Sequence, residues 1–141
     1  MAMFDFGVPK KVLDRAGNEK EVGEFALHVQ CAWRMARRNQ ILVTSRDIHY
    51  SADYSEDQDI PDEFDWDREP NRLDKLLHSL FEQETNDFVV QKVEVGDAGK
   101  LHLLLGNDAS LELFPDDSLA GERWRLFIPG AHQPHLVVTG R

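Results

Sequence analysis

Apolar positions recur along this chain at two spacings, and each spacing predicts an element. Over Phe25–Trp33 they alternate, with Phe25, Leu27, Val29, Cys31 and Trp33 on one side, the two-residue period of a half-buried strand. Arg37-Arg38-Asn39 breaks that run, Ile41–Thr44 resumes it with β-branched residues, and Ile48-His49-Tyr50 reads as one more short strand. Upstream, Phe4–Val8 and Val12–Asp14 are placed to pair around Pro9-Lys10-Lys11. From residue 71 the spacing changes. Leu73, Leu76, Leu77, Leu80 and Phe81 fall at i, i+3, i+4, i+7 and i+8, one apolar stripe on a helix that Asn71 caps and Thr85-Asn86 stops.

Beyond the helix, turn residues punctuate the chain at Gly96–Gly99, Gly106–Asp108, Pro115–Asp117 and Pro129-Gly130. The runs between them read as strands: Phe88–Val95, Lys100–Leu105, Ser110–Phe114, Arg123–Ile128 and Leu136–Thr139. Such short connections favour antiparallel neighbours, because a parallel crossover needs about a dozen residues or more. The predicted fold is α+β: a mostly antiparallel, curved β-sheet of about seven or eight strands, with one principal helix at about 71–84 packed on a face. Length points the same way, since 141 residues suit a single domain spanning 1–141.

Charge changes the picture in one place. The chain carries 16 Lys and Arg against 26 Asp and Glu, a net of −10. Nine of those acids (Asp53, Glu56, Asp57, Asp59, Asp62, Glu63, Asp65, Asp67, Glu69) lie in residues 51–70 against Arg68 alone, a local net of −8. That balance repels phosphate backbones and anionic membranes, so neither nucleic acid nor a membrane is an expected partner. No stretch approaches the ~20 apolar residues of a spanning helix. The start of the chain lacks the basic and apolar runs of a secretory signal, and the lone Cys31 cannot close an internal disulfide, so the expected location is the cytoplasm.

Leu27-His28, Gln30-Cys31 and Trp33-Arg34, followed by Ile41-Leu42-Val43 with Ser45 and Asp47, form one part of a wider pattern. Glu122-Arg123-Trp124-Arg125 and Val137-Val138-Thr139-Gly140 complete it. Over roughly residues 25–140 the pattern resembles a family of small uncharacterised bacterial proteins. The resemblance implies one whole domain and a bacterial origin. It brings no catalytic residues to carry over.

The acidic segment has no helical or strand period, yet it contains Tyr54, Phe64 and Trp66. Aromatics interleaved with carboxylates supply both the anchors and the charge complementarity of a tight protein interface. Tyr54, Asp57, Asp59, Asp62, Phe64, Asp65, Trp66 and Asp67 are therefore the candidate partner-binding set, and a basic protein is the expected partner. The ordinary alternative is a solvated acidic face whose aromatics complete the core. Trp33 and Trp124 sit in strand patterns and are expected in the core, with Arg123 and Arg125 on the opposite face from Trp124. Trp66 is expected to be the most exposed of the three.

Other chemistries have weaker support. Asp57-x-Asp59-x-x-Asp62 and Asp65-x-Asp67-x-Glu69 come near a cation loop, but lack the Gly and terminal Glu that an EF-hand requires. His132-Gln-Pro-His135 offers two imidazoles and no third ligand. His28 and His102 lie opposite the apolar face, and His78 lies on the polar side of the helix. Asp47 and His49 could pass a proton, but no nucleophile accompanies them. Cys31 shares the apolar face, where a thiol is inert. Glycine-rich nucleotide loops and a Gly-x-Ser-x-Gly elbow are missing. Arg34, Arg37, Arg38 and Arg46 form a basic cluster expected to pair with the acidic segment. The reading is a non-catalytic, cofactor-free protein-binding or inhibitory module of immunity type. Its rivals are a metal-dependent protein or enzyme built on Asp47, His49 and the acidic loop, and an accessory domain that oligomerises through a sheet edge.

Overall fold

Tight turns set the topology. Asp14 accepts the backbone N–H groups of Ala16 and Asn18, both at 2.9 Å, and Gly17 supplies a φ of +81° between them. Asn107 and Asp108 both take left-handed φ values, 59° and 55°, which is the two-residue turn whose twist suits a hairpin. In the computed structural model, which describes residues 1–84 and 86–140, these turns join eleven strands, one α-helix and two short 3-10 turns. The strands are β1 (Ala2–Phe6), β2 (Lys10–Leu13), β3 (Glu19–Val22), β4 (Phe25–Val29), β5 (Ala32–Arg37) and β6 (Gln40–Thr44), then β7 (Val90–Val95), β8 (Leu101–Leu105), β9 (Ala109–Phe114), β10 (Glu122–Phe127) and β11 (Leu136–Thr139). The helix, α1, spans Arg72–Glu84. An α+β architecture of antiparallel strands is thus present, but it comprises three sheets and more strands than the seven or eight expected in one.

Contacts group into two compact units. One holds Met1–Cys31, Asp97–Gly99 and the chain from Phe114 onward; the other holds Ala32–Gly96 and Lys100–Leu113. In the first, the sheet order is β1-β4-β10-β11, with β2-β3 as a separate hairpin. Phe4 faces Leu27, which faces Leu126, and Val29 faces Trp124. Leu27, Val29 and Trp124 are almost wholly buried; burial of one such side chain stabilises by about 1.5–3 kcal/mol. The Trp124 indole N–H donates to the Gly99 carbonyl at 2.8 Å, satisfying the one polar atom it carries inward.

In the second unit the order is β6-β5-β9-β8-β7. Trp33, Met35, Val43, Leu103, Leu111 and Leu113 form its buried side. α1 starts where expected: the Asn71 carboxamide oxygen accepts the Asp74 N–H at 2.9 Å. Its stripe of Leu73, Leu76, Leu77, Leu80 and Phe81 is half-buried, against β6 and the 3-10 turn Ser45–His49. Thr85, expected to help end the helix, lies outside the described residues. Glu84 at the helix end bonds the Arg37 guanidinium at 2.5 Å and the Asn107 carboxamide at 2.7 Å, which ties α1 to the β8–β9 turn.

Several expectations are corrected. Phe25–Trp33 is not one strand; it breaks after Val29, and β4 and β5 belong to different sheets. Phe25, at the outer end of β4, is exposed. β1 pairs with β4 rather than with residues 12–14, and β2 pairs with β3. Ile48–Tyr50 is not a strand, because Thr44 and Asp47 form a reciprocal capping box that starts a 3-10 turn at Ser45. Arg123 does not share a face with Arg125. A bulge between Glu122 and Trp124 turns Arg123 inward, where it is buried and clamps Asp117 and the Leu119 carbonyl.

Candidate functional site

The acidic segment is a loop closed at its neck. Ser51 and Asn71 form an antiparallel bridge, the Arg72 N–H donates to the Tyr50 carbonyl at 2.8 Å, and the Ala52 N–H donates to Pro70 at 3.0 Å. Both ends are therefore held at one point, beside the first turn of α1. Between them the backbone runs through successive turns, in which Tyr54, Gln58, Phe64 and Arg68 each donate to the carbonyl three residues earlier. Lys75 reaches back from the helix to the Ala52 carbonyl and to Asp53, both at 3.2 Å. Most loops in small domains are far shorter; one this long without its own strand or helix is usually functional or unstructured.

Its aromatics pack in pairs. Tyr54 lies against Tyr50 with ring centroids 4.7 Å apart, and Phe64 meets Trp66 edge-on at 4.5 Å. Tyr54 and Phe64 are half-buried. Trp66 is 46% exposed, whereas Trp33 and Trp124 are each 2% exposed. Phe64 thus serves as a prop that holds the Trp66 ring at the surface.

All five predicted aspartates, Asp57, Asp59, Asp62, Asp65 and Asp67, are exposed. Among the described residues, the ion pairs of the loop are Asp65 with Arg68 at 3.7 Å and Asp53 with Lys75 at 3.2 Å, and Asp57, Asp59 and Asp62 have none. Asp65, Asp67 and Glu69 do not share an extended face. The chain turns there, so Asp65 accepts the Asp67 N–H at 3.1 Å and Glu69 accepts the Asp65 N–H at 3.3 Å. The expected pairing with the basic cluster is absent for Arg37 and Arg38. Those side chains meet Glu84 and Asp108, because their own strand and turn lie beside these acids, while Arg34 bonds Glu112 at 2.7 Å.

Asp47 is engaged in structure: its carboxylate accepts the Thr44 N–H at 2.8 Å and pairs with Arg72 at 3.3 Å. His49 is exposed, and among the described residues no group of three His, Cys, Asp or Glu is placed to hold a metal ion. Burial raises the pKa of the Cys31 thiol. No helix of the described residues is long and apolar enough to cross a membrane.

Sequence reading missed one cluster. Arg125 on β10 grips Glu122 through both carboxylate oxygens and contacts the His135 Nδ1 at 3.2 Å. Phe127 stacks on His135 at 4.5 Å and meets His28 edge-on at 4.8 Å. Burial, then the Arg125 charge, lower the His28 pKa, and the Arg125 hydrogen bond lowers that of Glu122. The alternation of β4 places His28 outward, but only the β4–β10 register brings Arg125 opposite it. With Arg125 committed to Glu122 on its own strand, the cluster presents no free guanidinium.

No family model, curated protein or solved structure matches this chain, so its functional reading rests on the geometry of the loop.

Proposed function

We propose that this chain is a protein-binding module of inhibitory or immunity type that captures a basic protein through residues 53–69. The observation that carries the reading is an exposed Trp66, propped by Phe64, in a neck-closed loop whose Asp57, Asp59 and Asp62 lack an ion-pair partner among the described residues. An aromatic anchor of this kind is what interface hot spots use, and unpaired carboxylates around it attract and orient a cationic surface. The single intraloop pair, Arg68 with Asp65, is exposed and contributes little, ~0–1 kcal/mol, so a partner arginine displaces it readily. Pinning at the neck lowers the ordering cost that an open linker of the same length would meet on binding.

The test uses the intact protein and a form carrying Asn at Asp57, Asp59, Asp62, Asp65 and Asp67 as paired baits. A basic protein retained by the first, released by salt and lost from the second supports the reading. The Trp66→Ala variant then weakens that complex by about tenfold or more in calorimetry. Equal recovery on both baits, or an affinity indifferent to Trp66, refutes it.

A further inference from the structure

We infer that β7 is a self-association edge, onto which a second copy of this chain adds its own β7 antiparallel, with Val93 on the twofold axis. In the order β6-β5-β9-β8-β7, this strand closes the five-stranded sheet and leaves its outer N–H and C=O groups without a strand partner among the described residues. All six of its residues are exposed. Val93 and Val95 pair with the buried Leu103 and Leu101 and so stand on the apolar side of the sheet, yet they are 56% and 70% exposed. Edges of this kind are normally guarded by a lysine, and β7 has one at Lys92.

Here the guard carries its own complement. Lys92-Val93-Glu94 read against itself in the antiparallel sense puts Lys92 opposite Glu94 twice and Val93 opposite Val93. The opposite face of the sheet points the same way. Arg34 meets Glu112, Glu112 lies by His102 at 3.7 Å, and His102 lies by Glu94 at 3.4 Å, a polar row across β5, β9, β8 and β7. At Glu94 the row runs out of strands, and its remaining cation is Lys92 of the same strand, 2.8 Å away. A second copy extends the row with its own lysine, while Lys92 exchanges its same-strand acid for the second copy's, so no charge is stranded. Among the other edge strands, β11 reads Leu136-Val137-Val138-Thr139 and contains no charge to select an occupant. A bulge between Val90 and Lys92 confines the regular ribbon to Lys92–Val95, so the association is weak.

Sedimentation equilibrium of the full chain, run to the highest soluble concentration, reads this directly. The expected mass rises from 16.2 kDa toward twice that value. Lys92→Glu and Glu94→Lys, made separately, place like charges opposite each other and each raise the dissociation constant about tenfold or more. Mixing the two variants restores dimers, since the acidic edge of one meets the basic edge of the other. Recovery on mixing also shows that both variants are folded. A constant 16.2 kDa at every concentration overturns the inference, and so does a dimer that survives both single substitutions or fails to return on mixing.

Discussion

Glu122 on β10 and Asp59 in the acidic loop are both carboxylates of one strongly acidic chain, but they do different work. Both Glu122 oxygens are taken by Arg125, whose hydrogen bond holds the carboxyl below its ordinary range. Asp59 is exposed and has no ion pair among the described residues. The contrast extends across the molecule. Glu112, Glu84, Asp108 and Asp117 each meet an arginine, whereas Asp57, Asp59 and Asp62 meet none among the described residues. Those paired acids serve the structure, because the backbone fixes the arginine that each one meets. Asp57, Asp59 and Asp62 have no such neighbour among the described residues, so their field is directed outward and remains available.

The contrast is easiest to break at Arg123. Its guanidinium donates to the Asp117 carboxylate at 2.7 Å and to two backbone carbonyls while buried, and Arg123→Ala should destabilise by about 2–3 kcal/mol in urea unfolding. Glu122→Gln keeps the shape and removes the charge facing Arg125, with an expected loss of about 1 kcal/mol by the same measurement. A smaller effect is expected from pH. His28 has its folded pKa lowered by burial, so the unfolded chain binds its proton more readily. Its contribution is full above the ordinary histidine value of about 6.5 and is lost as pH falls through the lower folded value. The thermal midpoint of the parent should therefore drop across that window, and His28→Gln should flatten the drop. Asp117 and Glu122, also lowered, add a second loss at more acid pH. Smallest of all is the fivefold Asn variant of the loop, which should change stability by no more than about 0.5 kcal/mol while abolishing partner capture. A large loss of stability in that variant would place the loop acids with those of the strands.

What the sequence reveals follows the range of the interactions involved. α1 is legible because its stripe and its Asn71 cap lie within one stretch of chain. β2 and β3 are hidden because Lys10, Lys11, Glu19, Lys20 and Glu21 give them no apolar alternation, although Asp14 and Gly17 mark the turn between them. The break between β4 and β5 is hidden for the opposite reason, since alternation continues through Cys31 to Trp33 while the backbone changes sheets. In the loop, composition displays the charge and the exposed Trp66. The neck between Ser51 and Asn71 joins residues far apart in sequence, and no local pattern encodes it. The inward turn of Arg123 depends on a bulge of the same long-range origin.

Trp66 also makes the molecule its own optical probe. Trp33 and Trp124 are sealed in apolar surroundings and should emit toward the blue, while Trp66 emits toward the red from water. Carboxylates on both sides of Trp66 should draw caesium ions in and hold iodide off. The red component should therefore be quenched by the cation in preference to the anion, and the order of the two quenchers reads the sign of the potential above that ring in the free protein.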